Sequence, residues 1–336
     1  MKRFIVALAL IAPGYAFAQG NLVLYCSVQE EWCRAAMAAF ERKTGIKVAM
    51  TRKSSGETYA QVKAEASNPR GDIMWGGTGD PHLQAAEEGL TVEYKSQMLK
   101  ELLPWAVKQA EQSKYRTVGI YAGVLGFGYN TELLARRKLP EPKCWSDLLS
   151  DKYKDEVQVA DPNSSGTSYT MLATIVQLHG EDKGFDFLKR LHRNINQYTK
   201  SGAAPAKAAS TGETLVGITF LHDLVTFAVQ GSPIKVVAPC EGTGYEIGSK
   251  SIIKGGRNPK EARLWYDWAL TPEAQEIGAQ AKNFQVPSNR NAKVPPQAPR
   301  VEQVKVIDYD FAKYGSSAER KRLLSKWDRE VKALPK

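Results

Sequence analysis

Short apolar strands alternate with helical segments along this 336-residue chain, and that alternation leaves few folds open. Asn21–Tyr25 reads as a buried strand, and the helix Glu30–Thr44 follows with Ala35, Ala36, Ala39 and Phe40 on its inner side. Gly45 stops that helix, because glycine enters the left-handed conformation that closes a helix at no steric cost. Ile46–Met50 is the next strand, then a helix over Thr58–Ala66, a strand over Asp72–Trp75 and a helix over Pro81–Glu88 ending at Gly89. A second series runs through Val118–Tyr129, Val157–Ala160, the helices Ser168–His179 and Gly184–Arg193, and the strands Val216–Leu221 and Ile234–Ala238. Pro259–Ala281 and Ala318–Ala333 are largely helical, and Pro287–Pro299 is irregular. Strand–helix–strand repetition at this spacing predicts an open, mostly parallel α/β sheet. The length predicts two lobes, since one hydrophobic core stops growing well short of it.

The compartment is read from the start of the chain. Lys2 and Arg3 precede the apolar run Phe4–Ala12, and Ala16-Phe17-Ala18 supplies a small-residue cleavage site. This is the pattern of a cleavable secretory leader over residues 1–18, too short to span roughly 30 Å of hydrocarbon. Its removal lowers the formal charge from +10 to +8. The basic residues are scattered in short pairs, such as Arg42-Lys43 and Arg136-Arg137, with no interleaved aromatic stripe, so nucleic acid is not the expected partner. Four cysteines suit an oxidising compartment, and three pairings are open. The expected set is Cys26–Cys33, tying the first strand to its helix, with Cys144–Cys240. Histidine is scarce and no C-x-x-C occurs, so no metal site or cofactor is expected.

The loops share one character. Lys53-Ser54-Ser55-Gly56-Glu57, Trp75-Gly76-Gly77-Thr78-Gly79-Asp80 and Asp161–Ser168 each follow a strand, carry small or hydroxyl residues and lead into a helix. Open α/β sheets bind ligands at the carboxyl ends of their strands. Exposed backbone N–H groups, helix N-termini and hydroxyls at such places form an anion cradle, although each loop alone also suits ordinary N-capping. Neither the G-x-x-x-x-G-K-[ST] nor the G-x-G-x-x-G phosphate loop occurs in them.

Phe220-Leu221-His222-Asp223, at the end of a strand, is the second cluster. No G-x-S-x-G elbow supplies a nucleophile for a His-Asp hydrolase, and no further ligands are spaced for a metal. Imidazole and carboxylate together instead suit the hydroxyls of a sugar or polyol, with Glu241 or Glu246 adding another acceptor.

Leu24–Trp32, Thr51–Glu57 and Gly71–His82 closely resemble the extracytoplasmic solute-binding proteins of ABC importers, in the ferric-binding branch. Within that branch the likeness is to hexose-phosphate-binding proteins, and it covers nearly all of the chain after the leader. It implies a type II periplasmic binding protein: two α/β lobes around a ligand cleft, joined by a two-strand hinge near Arg116–Gly123 and Val237–Gly248. The first lobe would hold residues 19–118 and 246–336, the second 119–245. The resemblance implies that Ser54, Ser55, Thr78, Ser164, Ser165, Gly166 and Thr167 hold a phosphate, with Lys200 as a further partner. It implies that His222, Asp223 and Glu246 hold sugar hydroxyls. Iron-binding relatives carry adjacent tyrosines where this chain has Phe220–Asp223. A monomer that binds without catalysis and docks on a permease is expected, with a phosphorylated hexose as solute; another organophosphate, a phosphonate or ferric iron are the alternatives.

Overall fold

A computed structural model describes residues 20–335, so the expected leader lies outside the described residues. The first lobe begins with β1 (Asn21–Cys26), α1 (Glu30–Thr44), β2 (Lys47–Arg52), α2 (Ser55–Ala64), β3 (Ile73–Thr78), α3 (Gly79–Glu87) and α4 (Pro104–Gln112). Helix α1 carries Glu30 and Glu31 in its first turn and Arg42 and Lys43 in its last, each matched to the helix dipole. Gly45 closes it at φ 75°. Its inner face buries Trp32, Cys33, Ala36 and Phe40.

Strand β4 (Val118–Asn130) then passes from one lobe into the other. The second lobe comprises α5 (Thr131–Arg137), β5 (Val157–Ala160), α6 (Gly166–His179), α7 (Glu181–His192), β6 (Ile195–Thr199), α8 (Ala204–Thr211), β7 (Val216–Phe220), α9 (Leu221–Val229) and β8 (Ile234–Val237). β9 (Tyr245–Ile252) returns, followed by α10 (Pro259–Trp268), α11 (Pro272–Gln280), β10 (Val286–Pro287), α12 (Phe311–Tyr314) and α13 (Ser317–Trp327).

The strand order is β2-β1-β3-β9-β4-β7-β5-β6. β1 pairs in parallel with β2 and β3, while β9 runs antiparallel between β3 and β4. Residues 118–124 of β4 pair with β9, and residues 125–130 pair with β7 and β8. One long buried strand thus belongs to both lobes, and β9 beside it makes the second crossing.

Each lobe has its own core. Leu22, Leu24, Phe40, Trp75, Trp265 and Trp268 anchor the first, and Phe127, Trp145, Tyr169, Leu172 and Phe185 the second. Burial of one such side chain stabilises by roughly 1.5–3 kcal/mol. Tyr309, Tyr314, Leu323, Trp327 and Val331 belong to the second core. The chain's end therefore departs from the expected 246–336 extent of the first lobe: having crossed back, it returns to bury its aromatic residues against the second. Both disulfides follow the expected pairing, Cys26–Cys33 and Cys144–Cys240. No helix among the described residues is long and apolar enough to cross a membrane.

One loop is corrected. β3 continues through Gly76 and Gly77 to Thr78, and α3 starts at Gly79 rather than at Pro81. Gly76 and Gly77 both hold φ 78° and are packed against Val28 and against Ser27 and Ser55, where a Cβ would collide. These two glycines bring the strand end close to its neighbours.

Candidate functional site

The carboxyl ends of β1, β2, β3, β5 and β7 converge on a cleft between the lobes. Its lining includes Ser27, Gln29, Arg52, Ser54, Ser55, Thr78, Tyr121, Ser165, Thr167, His222, Asp223, Glu246 and Gln285. The lobes touch across it. The Gly166 N–H of α6 donates to Ser55 Oγ at 3.2 Å, and Ser54 Oγ donates to the Lys200 carbonyl at 3.0 Å. Arg52 Nη2 lies 3.3 Å from Ser201 Oγ, and the Gln29 side-chain amide donates to Asp223.

One end of the cleft is built of hydroxyls at helix N-termini. Ser54 is the N-cap of α2 in a capping box with Glu57, Thr78 is the N-cap of α3, and Ser165 is the N-cap of α6. Three helix starts so aimed concentrate N–H donors and partial positive charge. Ser55 Oγ and Thr78 Oγ1 are 3.3 Å apart, so the hydroxyls of α2 and α3 form one patch. Arg52, the last residue of β2, is the one cation in this lining among the described residues. Its Nε donates to the Val28 carbonyl at 3.0 Å. Burial lowers its pKa and the Asp223 carboxylate partly restores it; an arginine nonetheless stays charged.

The other end holds three buried titratable side chains. His222 and Asp223 stand in the first turn of α9, and Glu246 comes from β9. His222 Nε2 is 3.7 Å from Asp223 Oδ1 and 3.9 Å from Glu246 Oε1. Phe220 stacks on the imidazole at 5.5 Å. Gly123 of β4 lets the group approach, since a Cβ there would sit 2.6 Å from His222 Nδ1 and 3.1 Å from Glu246 Oε1. Burial lowers the His222 pKa against the pull of Asp223, so the ring is neutral at neutral pH. Burial, reinforced by Asp223 and Asp80, raises the Glu246 carboxyl well above its ordinary range. Thr219 Oγ1 donates to Asp223 Oδ2 at 2.8 Å. His222 Nδ1 and Gln285 Oε1 are buried and without a hydrogen-bond partner. Imidazole, carboxyl and amide groups so placed can together donate to and accept from several hydroxyls at once.

Of the residues singled out in the sequence, Ser54, Ser55, Thr78, Ser165, Thr167, His222, Asp223 and Glu246 line this one cleft. Gly166 stands beside it with its N–H engaged by Ser55. Ser164 turns its hydroxyl to the Asp161 and Lys200 carbonyls. Lys200 is exposed and contributes its carbonyl rather than its ammonium: β6 ends at Thr199, and the next peptide turns inward while the long side chain remains in water. Glu241 lies elsewhere, capping Trp145 and Ser146. Sequence reading missed Gln29, Arg52, Tyr121 and Gln285. Gln29 and Arg52 were reachable by the strand-end rule, since they end β1–α1 and β2 as the serine loops do. Tyr121, in mid-strand, and Gln285, in an irregular segment, carry no local signal.

Known proteins share the family and the fold. The family model described as bacterial extracellular solute-binding protein matches residues 77–314. A protein from Haemophilus influenzae is 46% identical over 330 residues, covering 98% of this chain and 95% of its own. The solved structure of the periplasmic binding protein AfuA from Actinobacillus pleuropneumoniae, with exogenous fructose-6-phosphate bound, is similar at a TM-score of 0.91 and 46% identity, over 94% of this chain and 100% of that one. That of the periplasmic binding protein P5PA is similar at 0.90 and 39% identity, over 93% and 99%.

Proposed function

The chain belongs to the bacterial extracellular solute-binding proteins, and we propose on that premise that it is the periplasmic component of an ABC importer. In this reading it captures a hexose 6-phosphate between its lobes and hands it to a membrane permease. The observation that carries the reading is the two-ended cleft, with hydroxyls, helix N-termini and Arg52 at one end and His222, Asp223 and Glu246 at the other. A sugar phosphate has the same division, an anion joined to a set of hydroxyls. The likeness to a protein solved with fructose-6-phosphate supports the same solute class.

The mechanism is binding without chemistry. Solute entering an open cleft gains the contacts of the second lobe only when the lobes meet, so it stabilises the closed form by that difference. β4 and β9 cross between lobes that each keep their own core, so the motion bends these strands together with the later return of the chain's end to the second core. Ser54, Ser55, Thr78, Ser165 and Thr167 would hold the phosphoryl oxygens together with Arg52. His222, Asp223 and Glu246 would hold the ring hydroxyls. The proposal places the exported protein in the periplasm as a monomer.

The test is calorimetric titration of protein stripped of ligand by unfolding and refolding with both disulfides intact. Glucose 6-phosphate and fructose 6-phosphate are expected to bind tightly, and glucose and inorganic phosphate weakly. Binding of a phosphonate but neither ester keeps the fold and overturns the solute, whereas heat with ferric citrate alone overturns the reading of the cleft. Hydrolysis of the ester during incubation would refute binding without chemistry.

A further inference from the structure

The space between the lobes does not end at Asp223. Beyond it, at the mouth of the cleft, lies a second chamber of about 430 Å³. Sites for small molecules span roughly 300–1,000 Å³. Gln29, Arg52 and Asp223 line both spaces, so the two meet at these side chains. The Gln29 amide, which donates to Asp223, lies across that junction. The outer walls come from both lobes, with α1 and the end of α11 on one side and α8 and α9 on the other. Thr226 of α9 holds the two sides together, its hydroxyl donating to the Lys282 carbonyl at 2.7 Å. The chamber therefore takes this shape only when the lobes meet.

Its lining suits an uncharged sugar ring better than a second anion. Glu30, Glu31 and Asp223 stand against Arg52, Lys207 and Lys282, three acids to three bases, so no net charge collects there. Phe227 of α9 is half-buried and supplies an apolar wall. Asn283, just past α11, is 3% exposed, and its Nδ2 donates to the Ala281 carbonyl at 2.8 Å. Its Oδ1 is buried and without a hydrogen-bond partner among the described residues. A buried acceptor left unpaired is costly, and a hydroxyl brought to it would relieve that cost. Apolar and aromatic walls with a few placed polar groups are the make-up of a small-ligand site.

We propose that the outer chamber is a second sugar subsite, so that the protein takes phosphorylated disaccharides as well as hexose monophosphates. The phosphorylated ring keeps the inner cleft, with its phosphate on the helix N-termini. Its far end, held by Asp223, carries the second ring outward past Gln29 toward Phe227 and Asn283. This passage parts Gln29 from Asp223, and a hydroxyl of the disaccharide takes the vacated place on the carboxylate. The inference rests on the hexose-phosphate reading of the cleft and extends it to a space that reading does not use.

The test is calorimetric titration of the ligand-stripped protein with glucose 6-phosphate and with trehalose 6-phosphate, which carries a second glucose on O1 of the phosphorylated ring. Trehalose 6-phosphate is expected to bind within about tenfold of glucose 6-phosphate. Without an outer subsite the second ring would hold the lobes apart. A greater loss, with glucose 6-phosphate bound tightly, therefore overturns the inference and leaves the solute assigned above in place. Asn283→Leu, of similar size but without the oxygen, is expected to cost trehalose 6-phosphate about fivefold more than it costs glucose 6-phosphate, the scale of one hydrogen bond. Equal losses overturn the part given to Asn283. If that variant does not fold, the wild-type ratio decides alone. Wild-type protein that binds trehalose 6-phosphate but not glucose 6-phosphate upholds the chamber and refutes the monophosphate as solute. Wild-type protein that binds neither ester overturns both.

Discussion

Closure of the lobes hangs on a position with no room for a methyl group. Gly166 opens α6 in the second lobe, and a Cβ built on it would fall on the Thr78 hydroxyl and 2.6 Å from Ser55 Oγ, both in the first lobe. Real Cβ atoms essentially never come within 3.0 Å of such neighbours, and neither hydroxyl has a flexible stem to retreat along. Gly166→Ala therefore leaves each lobe intact and resists only their meeting. Overpacking of this kind costs about 1–3 kcal/mol, which converts to a loss of about 5- to 150-fold in affinity for any solute that needs the closed form. The separated lobes bear no such cost. Alanine at a helix position is favoured over glycine by up to about 1 kcal/mol, so the unliganded melting temperature should hold or rise. Calorimetric titration reads the affinity, small-angle scattering the closure, and differential scanning calorimetry the melting. An affinity within threefold of the wild type, with normal contraction on adding solute, would refute the reasoning.

Three further outcomes follow from the same geometry. Asp223→Ala removes an acceptor from the hydroxyl end and should weaken hexose phosphate far more than inorganic phosphate; equal losses in parallel titrations would contradict its assignment. The buried Glu246 carboxyl is raised well above 4.5, so the folded form holds a proton there that the unfolded chain releases. That contribution to stability is present below about pH 4.5 and is lost as pH rises through the raised value. Glu246→Gln should accordingly gain melting temperature relative to the wild type at pH 8 and match it near pH 4.5, and a constant difference across that range would exclude the linkage. Cys26 and Cys33 are fully buried while Cys240 is exposed, so mild reductant followed by alkylation and mass spectrometry should label Cys144 and Cys240 first. Opening that bridge, which spans 96 residues against 7, should destabilise by about 4.7 kcal/mol against about 2.4 in the chain-entropy account.

The first lobe was the more legible part. β1, α1 and β2 announce themselves through an apolar run, an inner helical face and Gly45. β9 was hidden because it is buried on both faces yet polar: Ser249, Lys250 and Ser251 are all at 0% exposure. Their partners come from elsewhere in the chain: Ser249 donates to Gln109, Lys250 to the Tyr266 carbonyl, and Ser251 shares a hydrogen bond with His82. A pattern based on apolar alternation cannot find a strand whose burial is made tolerable by tertiary hydrogen bonds. The aromatic residues of the chain's end were visible, but which of two cores they would join was not, because that choice is made by a crossing back between lobes. At the site, hydroxyl loops at strand ends were readable one by one. That Ser55 of one lobe and Gly166 of the other share a hydrogen bond is a property of closure, and no local sequence carries it.

The charges around the cleft argue for how such a site can both capture and release. The chain carries a formal +10, yet the cleft lining has Arg52 as its one cation among the described residues, facing the Asp223 carboxylate. His222 is held neutral, and Glu246 is held toward its protonated form. Under the proposed function, an incoming phosphate dianion would therefore meet no excess of fixed positive charge. Beside Arg52, its stabilisation would come from N–H and O–H donors aimed by three helix starts, which are strong only where water is excluded. Closure creates that exclusion by bringing α6 onto α2 and α3, and opening removes it. Affinity is thus tied to the distance between the lobes rather than to a permanent electrostatic trap. A permease that parts them would lower affinity by readmitting water to those donors. Salt provides the check: screening acts on charges exposed to solvent. Affinity of the closed form for hexose phosphate should therefore change little between low and physiological ionic strength. A steep fall with salt would mean that surface lysines and arginines, not the aimed donors of the cleft, carry the binding.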